Sequence, residues 1–199
     1  MRRLLALTGL LLAAGCTATS PGTPVAGDAP TTVTTEPTTT TTATTTTATT
    51  ASRPRDIDIA GLQVCPLLGK LPLGDYGVDP ARTVGGESSL FPGSQDCFAN
   101  GPDTNLGLTL VAVVGQGAAE YLDGARAEVT ETAAGGFPVY VLKTAEPSSC
   151  FGVVDVHEKQ MVFVNYGVNV PGEQPVTPQR TLCDRVTQIA SATITQLGS

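Results

Sequence analysis

Five cysteines, at positions 16, 65, 97, 150 and 183, set the terms on which this chain can fold. Cys16 closes a short apolar leader, and the other four are spread over the residues that follow position 55. An even set of four in an exported chain predicts two disulfides. Four cysteines permit three connectivities, and the sequence does not choose among them. The favoured set joins Cys65 to Cys97 and Cys150 to Cys183, because each bond would clip a predicted helix to a predicted strand of the same half. Each loop holds about 32 residues, which the chain-entropy relation values at roughly 3.5–4 kcal/mol. There is no C-x-x-C pair for zinc or thiol exchange, and the spacings fit no metal-site pattern.

The fifth cysteine belongs to an address. Met1, Arg2 and Arg3 give a positive start, and Leu4 to Ala14 is an apolar stretch of 11 residues. A membrane-spanning helix needs about 20, so residues 1–15 are predicted to be a cleavable signal peptide. The stretch ends Leu12-Ala13-Ala14-Gly15-Cys16. Small residues before a cysteine suit close approach of a protease, and the thiol is the atom that can take up a lipid. These residues resemble the lipobox of bacterial lipoproteins, with Ala13 where Leu or Val is usual. The resemblance implies lipidation (palmitate) at Cys16 and anchoring on the extracytoplasmic face of the cell membrane. The bland alternative is an ordinary secretory signal.

Residues 16–55 are predicted to be a linker. Between Thr31 and Thr50, 15 of 20 residues are threonine, and a segment so poor in apolar side chains cannot recover the entropy cost of ordering. A disordered stalk follows, with a reach of roughly 120 Å if extended and roughly 30–40 Å as a flexible coil. Its composition is also that of O-glycosylated stalks, with Thr38 to Thr50 as the acceptors; an intact mass free of hexose increments would leave a bare spacer.

Residues 56–199 remain for one globular domain, and 144 residues suffice to bury a core without a metal or an oligomer. Loss of Arg2 and Arg3 leaves nine basic against 18 acidic residues, a net charge of −9. Without a basic footprint, nucleic-acid binding and polybasic membrane contact are both disfavoured. Cys65 to Leu71 reads as a short helix with Pro66 in its first turn, and Leu73 to Gln95 as loops with one short strand. Strand signals follow at Leu106 to Val114, Arg126 to Thr132, Pro138 to Thr144, Cys150 to Val156 and Met161 to Val168, the last two forming a hairpin around His157 to Gln160. The final segment reads as a helix capped by Thr177, with Pro178 first and Cys183, Val186, Ala190, Thr193 and Leu197 on one face. The fold class is therefore α+β: a mainly antiparallel sheet with a short N-terminal and a C-terminal helix packed on it.

The run Asp58-Ile59-Ala60-Gly61-Leu62-Gln63-Val64-Cys65-Pro66-Leu67-Leu68, Cys97 followed by Phe98, Gly135-Gly136-Phe137-Pro138, Cys150 opening a strand and Cys183 opening the last helix carry a resemblance. With the lipobox and stalk, they resemble the actinobacterial lipoproteins of domain of unknown function 3558, over roughly Arg55 to Leu197. The resemblance implies a secreted, lipid-anchored α+β domain. It assigns no reaction and no catalytic residue.

Tests for chemistry are lean. The chain has one histidine, His157, at the predicted turn, and no G-x-S-x-G or S-x-x-K, so a serine hydrolase lacks its parts. Asp75, Asp79, Asp96, Asp103, Glu120 and Asp123 could converge for glycoside hydrolysis, although a solvated acidic surface is the simpler reading. Gly115-Gln116-Gly117 followed by Glu120 imitates a dinucleotide fingerprint, but the third glycine is missing. No cofactor or metal is expected. The expected function is a non-catalytic binding or accessory module of the cell envelope, with an unassigned ligand or protein partner; the alternative is a secreted hydrolase using acidic residues.

Overall fold

The computed structural model describes residues 52–173 and 175–198. The predicted signal peptide, Cys16 and the threonine tract lie outside the described residues. The described chain forms α1 (Val64–Leu68), a 3-10 turn (Leu73–Tyr76), β1 (Thr83–Glu87), β2 (Gln95–Gly101), β3 (Leu106–Val114), α2 (Ala118–Asp123), β4 (Glu128–Ala134), β5 (Phe137–Lys143), β6 (Ser149–His157), β7 (Gln160–Val168) and α3 (Gln179–Leu197). The strands make one seven-stranded sheet in the order β1-β2-β3-β7-β6-β5-β4, with every neighbour antiparallel. The α+β class read from the sequence is the observed one.

The two central strands, β3 and β7, are apolar along almost their whole length because both of their faces are covered for much of it. Leu108, Leu110, Val162, Val164 and Tyr166 point to one face, where α1, α3 and the segment carrying Ile57 and Ile59 complete the main core. On α3, Leu182, Val186, Ile189, Ala190, Thr193 and Ile194 recur at helical spacing and are all buried. Thr193 is tolerated there because its hydroxyl donates to the Ile189 carbonyl at 2.8 Å. The Tyr166 hydroxyl, buried in the same core, donates to the Tyr76 carbonyl at 2.6 Å and ties the 3-10 turn to the sheet.

Both disulfides lie in this layer. Cys65 of α1 is bonded to Cys97 of β2, and Cys150 of β6 to Cys183 of α3, each with Cα atoms 5.1 Å apart. Each therefore staples a helix to a strand, which is the favoured pairing. Cys183 itself is half-buried, beside rather than within the buried stripe of α3.

Two details of the sequence reading need correction. Thr177 does not cap α3: Pro178 is the N-cap residue and no side chain caps the helix. Pro178 holds an extended ψ of 139°, and its carbonyl accepts the first helical bond, from the Leu182 N–H; Thr177 is left one residue too far out to reach the free amides. The Gln179 amide instead donates outward, to the carbonyls of Thr144, Glu146 and Ser149. The second correction is β2, a strand of seven residues between the loops expected up to Gln95 and the strand expected from Leu106, where the sequence reading gave no strand bounds. Its inward residues are Cys97, Ala99 and Gly101, too small to give an apolar alternation.

Candidate functional site

The second face of the sheet is closed at one end only. There α2 and the Ser88–Ser94 loop cover Val111, Val113, Val153, Met161 and Phe163. Phe91 and Tyr121 meet Phe163 edge-on, with ring centroids 5.0 and 5.6 Å away, and Phe151 stacks on Phe163 at 5.7 Å. Past this aromatic wall the strands are open to solvent.

Register decides what the open part presents. Phe98 of β2, Thr109 of β3, Asn165 of β7 and Phe151 of β6 stand opposite one another in a single row. The row beside it is Asn100, Gly107, Gly167 and Ser149. Phe98, Thr109, Asn165, Gly107, Gly167 and Ser149 of these rows line a shallow trough of about 250 Å³ with Ser148, Val168 and Asn169, and Phe151 and Asn100 stand at row ends outside its lining. Its floor is low because two glycines face each other across the central strands. A Cβ on Gly107 would stand 2.8 Å from Cε2 of Phe98 and would collide with Oδ1 of Asn169, so glycine lets both side chains lie over the floor. Asn169 is fixed there, its amide donating to Asn100 Oδ1 at 2.6 Å and to the Leu106 carbonyl at 2.7 Å.

The acids behave differently. Asp79 is paired with Arg82 at 3.5 Å and accepts the Ala81 N–H, and Glu120 is paired with Lys159 at 3.8 Å. Asp79 and Asp103 both border one surface depression, of about 210 Å³. Asp96 borders another, beside Gly86 and Gln95. Burial pushes the Asp96 carboxyl above its ordinary value, against the opposing effect of an accepted Gly86 N–H, with no second carboxylate contributing. A two-acid mechanism needs a partner within about 5–10 Å whose charge would be felt, and the raised value of the half-buried Asp96 has burial, not a second carboxylate, as its cause. A carboxyl with a raised folded pKa contributes stability in full below its unfolded pKa and loses it as pH rises through the folded value. Asp96→Asn keeps the acceptor for Gly86 and removes the charge. Its melting temperature is expected above that of the parent at pH 7, with the gap closing as pH falls to 3; an equal gap at both pH values would sink this account.

His157 ends β6, and its Nδ1 accepts the Lys159 N–H at 3.2 Å, a turn contact. Burial lifts the Tyr121 and Tyr166 phenols above their ordinary values, so neither is an anionic nucleophile at neutral pH. Gly117 opens α2, and a Cβ there would run into the Glu158 carbonyl. Close packing against the β6–β7 turn explains that glycine, and an all-antiparallel sheet lacks the parallel unit that a dinucleotide fingerprint requires. Among the described residues no three His, Cys, Asp or Glu side chains are grouped to hold a metal, and no helix is long and apolar enough to cross a membrane.

Sequence reasoning missed the trough. Its signal was a single polar residue interrupting each central apolar run, Thr109 within Leu106 to Val114 and Asn165 within Met161 to Val168. Only register shows that the two interruptions are neighbours.

Fold and site together define a twice-stapled α+β domain with one covered sheet face and one partly open face. The family model described as "protein of unknown function (DUF3558)" matches residues 11–196, and the chain belongs to that family. No curated protein and no solved structure matches it.

Proposed function

We propose that this chain is an actinobacterial cell-envelope lipoprotein whose domain is a non-catalytic binding or accessory module. The observation that carries the binding role is the open, shallow trough across four strands of the sheet, with half-buried polar and aromatic side chains in one row. A shallow surface of this kind can read a ligand but gives little shelter from water for a reaction. The anchoring role is supported by the leader ending in Gly15-Cys16 and by the threonine-rich stalk behind it. A lipid on Cys16 would hold the domain on the extracytoplasmic face of the membrane, and the stalk would set its distance.

Metabolic labelling with an alkyne-bearing palmitate tests the anchor in an actinobacterial host. The parent is expected to take up label and stay with the membrane fraction. Cys16→Ser is expected to lose the label and enter the medium. An unlabelled parent, or a labelled Cys16→Ser chain, would overturn the anchoring.

A further inference from the structure

We infer that the trough is a binding site for a neutral oligosaccharide, an inference that rests on the binding-module reading and gives it a ligand class.

The floor of the trough is uncharged. Trough residues Phe98, Gly107, Thr109, Asn165, Gly167 and Asn169 carry no ionisable group, and neither do Ser148, Ser149 and Val168 beside them. The rest of the protein is acidic, with nine basic against 18 acidic residues once the leader is removed. An anionic ligand would meet repulsion and no counter-charge, whereas a neutral one meets neither. Phosphates, nucleic acids and acidic glycans are thereby set aside.

The same floor holds unused hydrogen-bonding capacity. Among the described residues, Thr109 and Asn165 make no side-chain hydrogen bond within the protein. A threonine hydroxyl donates one bond and accepts two, and an asparagine amide offers two donors and an acceptor oxygen. Held side by side on two paired strands, they present donors and acceptors at a fixed spacing. That is what a ring carrying several hydroxyls can use, and what an alkyl chain cannot. An apolar ligand would instead suit the adjoining depression by Pro147, Pro171 and Pro178, which shares Ser148 and Val168 with the trough and is bordered by Glu146 and Glu173.

Aromatic side chains stand at both ends of the row. Phe98 lies over Gly107 at one side of the row, and Phe151 is braced against Phe163 at the other. Sugar rings present C–H faces that pack on aromatic rings while their hydroxyls stay free for polar partners. Three strand spacings separate Phe98 from Phe151, about 14 Å at ~4.8 Å per strand, so the row is long enough for a short oligosaccharide.

A peptide added as a further strand is the contrasting occupant. Strands β3 and β7 are already paired on both sides, so the floor offers no free backbone ladder, and such a peptide would have to use the β1 or β4 edge.

Amide chemical shifts of the mature ¹⁵N-labelled chain, titrated separately with cellohexaose, maltohexaose, mannohexaose and, as the anionic control, hexagalacturonate, test the inference. At least one neutral hexasaccharide is expected to shift Phe98, Thr109, Phe151 and Asn165 saturably, and hexagalacturonate to shift none of them. The double variant Thr109→Ala/Asn165→Ala should weaken binding about tenfold or more while its amide spectrum away from the row stays that of the folded parent, since neither side chain bonds within the fold. Absence of shifts with all three neutral sugars, shifts centred away from the row, or equal affinity in the double variant would overturn the glycan assignment. The same samples are assayed for new reducing ends. Their appearance would overturn the non-catalytic reading while leaving the trough as the sugar site, so the two failures are distinguishable.

Discussion

Cys150→Ala/Cys183→Ala is expected to unfold about 10 °C below the parent, with a stability loss of about 3.7 kcal/mol from the chain-entropy relation for a bond spanning 33 residues. The bond restricts the freedom of the unfolded chain and, once the chain is folded, holds down α3, the longest helix among the described residues and the lid of the main core. Alanine is the right replacement because Cys150 is fully buried, and a serine hydroxyl there would add a desolvation cost of its own. The Cys65–Cys97 loop does not overlap this one, so reducing both bonds should cost roughly twice as much. A domain of ordinary stability, about 5–15 kcal/mol, would then be near its limit. Denaturant midpoints with and without reductant measure both effects; a loss below about 1 kcal/mol for the double variant would show that the unfolded state is already constrained in other ways. The consequence reaches the other face of the sheet. Cys150 sits between Ser149 and Phe151 on β6, so the strand that forms one end of the trough is the strand the bond holds down.

Much of this architecture was legible in the sequence, for reasons that differ by element. Strand β3 is found at the bounds its apolar run implies, because burial on both faces writes a continuous signal into nine residues. The hairpin of β6 and β7 was readable from its short polar turn. Helix α3 was readable from its apolar stripe, but its start was not, since a threonine before a proline looks like a cap whether or not the chain puts it in reach. Strand β2 was hidden because small residues fill the space under α1, and smallness leaves no hydropathy pattern. The trough was hidden for a deeper reason. Thr109 and Asn165 are 56 positions apart in the chain, and pairing between β3 and β7 alone makes them adjacent. The six acids looked capable of converging: Asp79 and Asp103 do border one depression, but Asp79 and Glu120 have basic partners, and burial, not a second carboxylate, raises Asp96.

Gly152→Val should cost about 3 kcal/mol, at the upper end of overpacking changes, and the size of the cost should depend on the Cys150–Cys183 bond. Gly152 lies on β6 directly beneath α3: a Cβ there would stand 2.5 Å from Cγ1 of Val186 and 3.5 Å from Cβ of Val164. The strand backbone has no reason to move, since β6 is paired on both sides, so the helix must rise or tilt to admit a side chain. The bond two residues away resists that movement by fixing Cys183 to the same strand. With the bond present, the strain stays in the contact; in the Cys150→Ala/Cys183→Ala background the helix can lift and the added side chain is accommodated at lower cost. A double-mutant cycle should therefore show Gly152→Val less damaging without the bond, by about 1 kcal/mol or more, within the range found for residues that share a contact. Equal cost in both backgrounds would mean that apolar packing of Leu182, Val186, Ile189 and Ala190 fixes the helix height by itself, and that the bond acts only on the unfolded chain. The cycle thus separates the two ways a staple can work: one limits where the chain wanders when unfolded, and the other sets how closely a helix sits when folded.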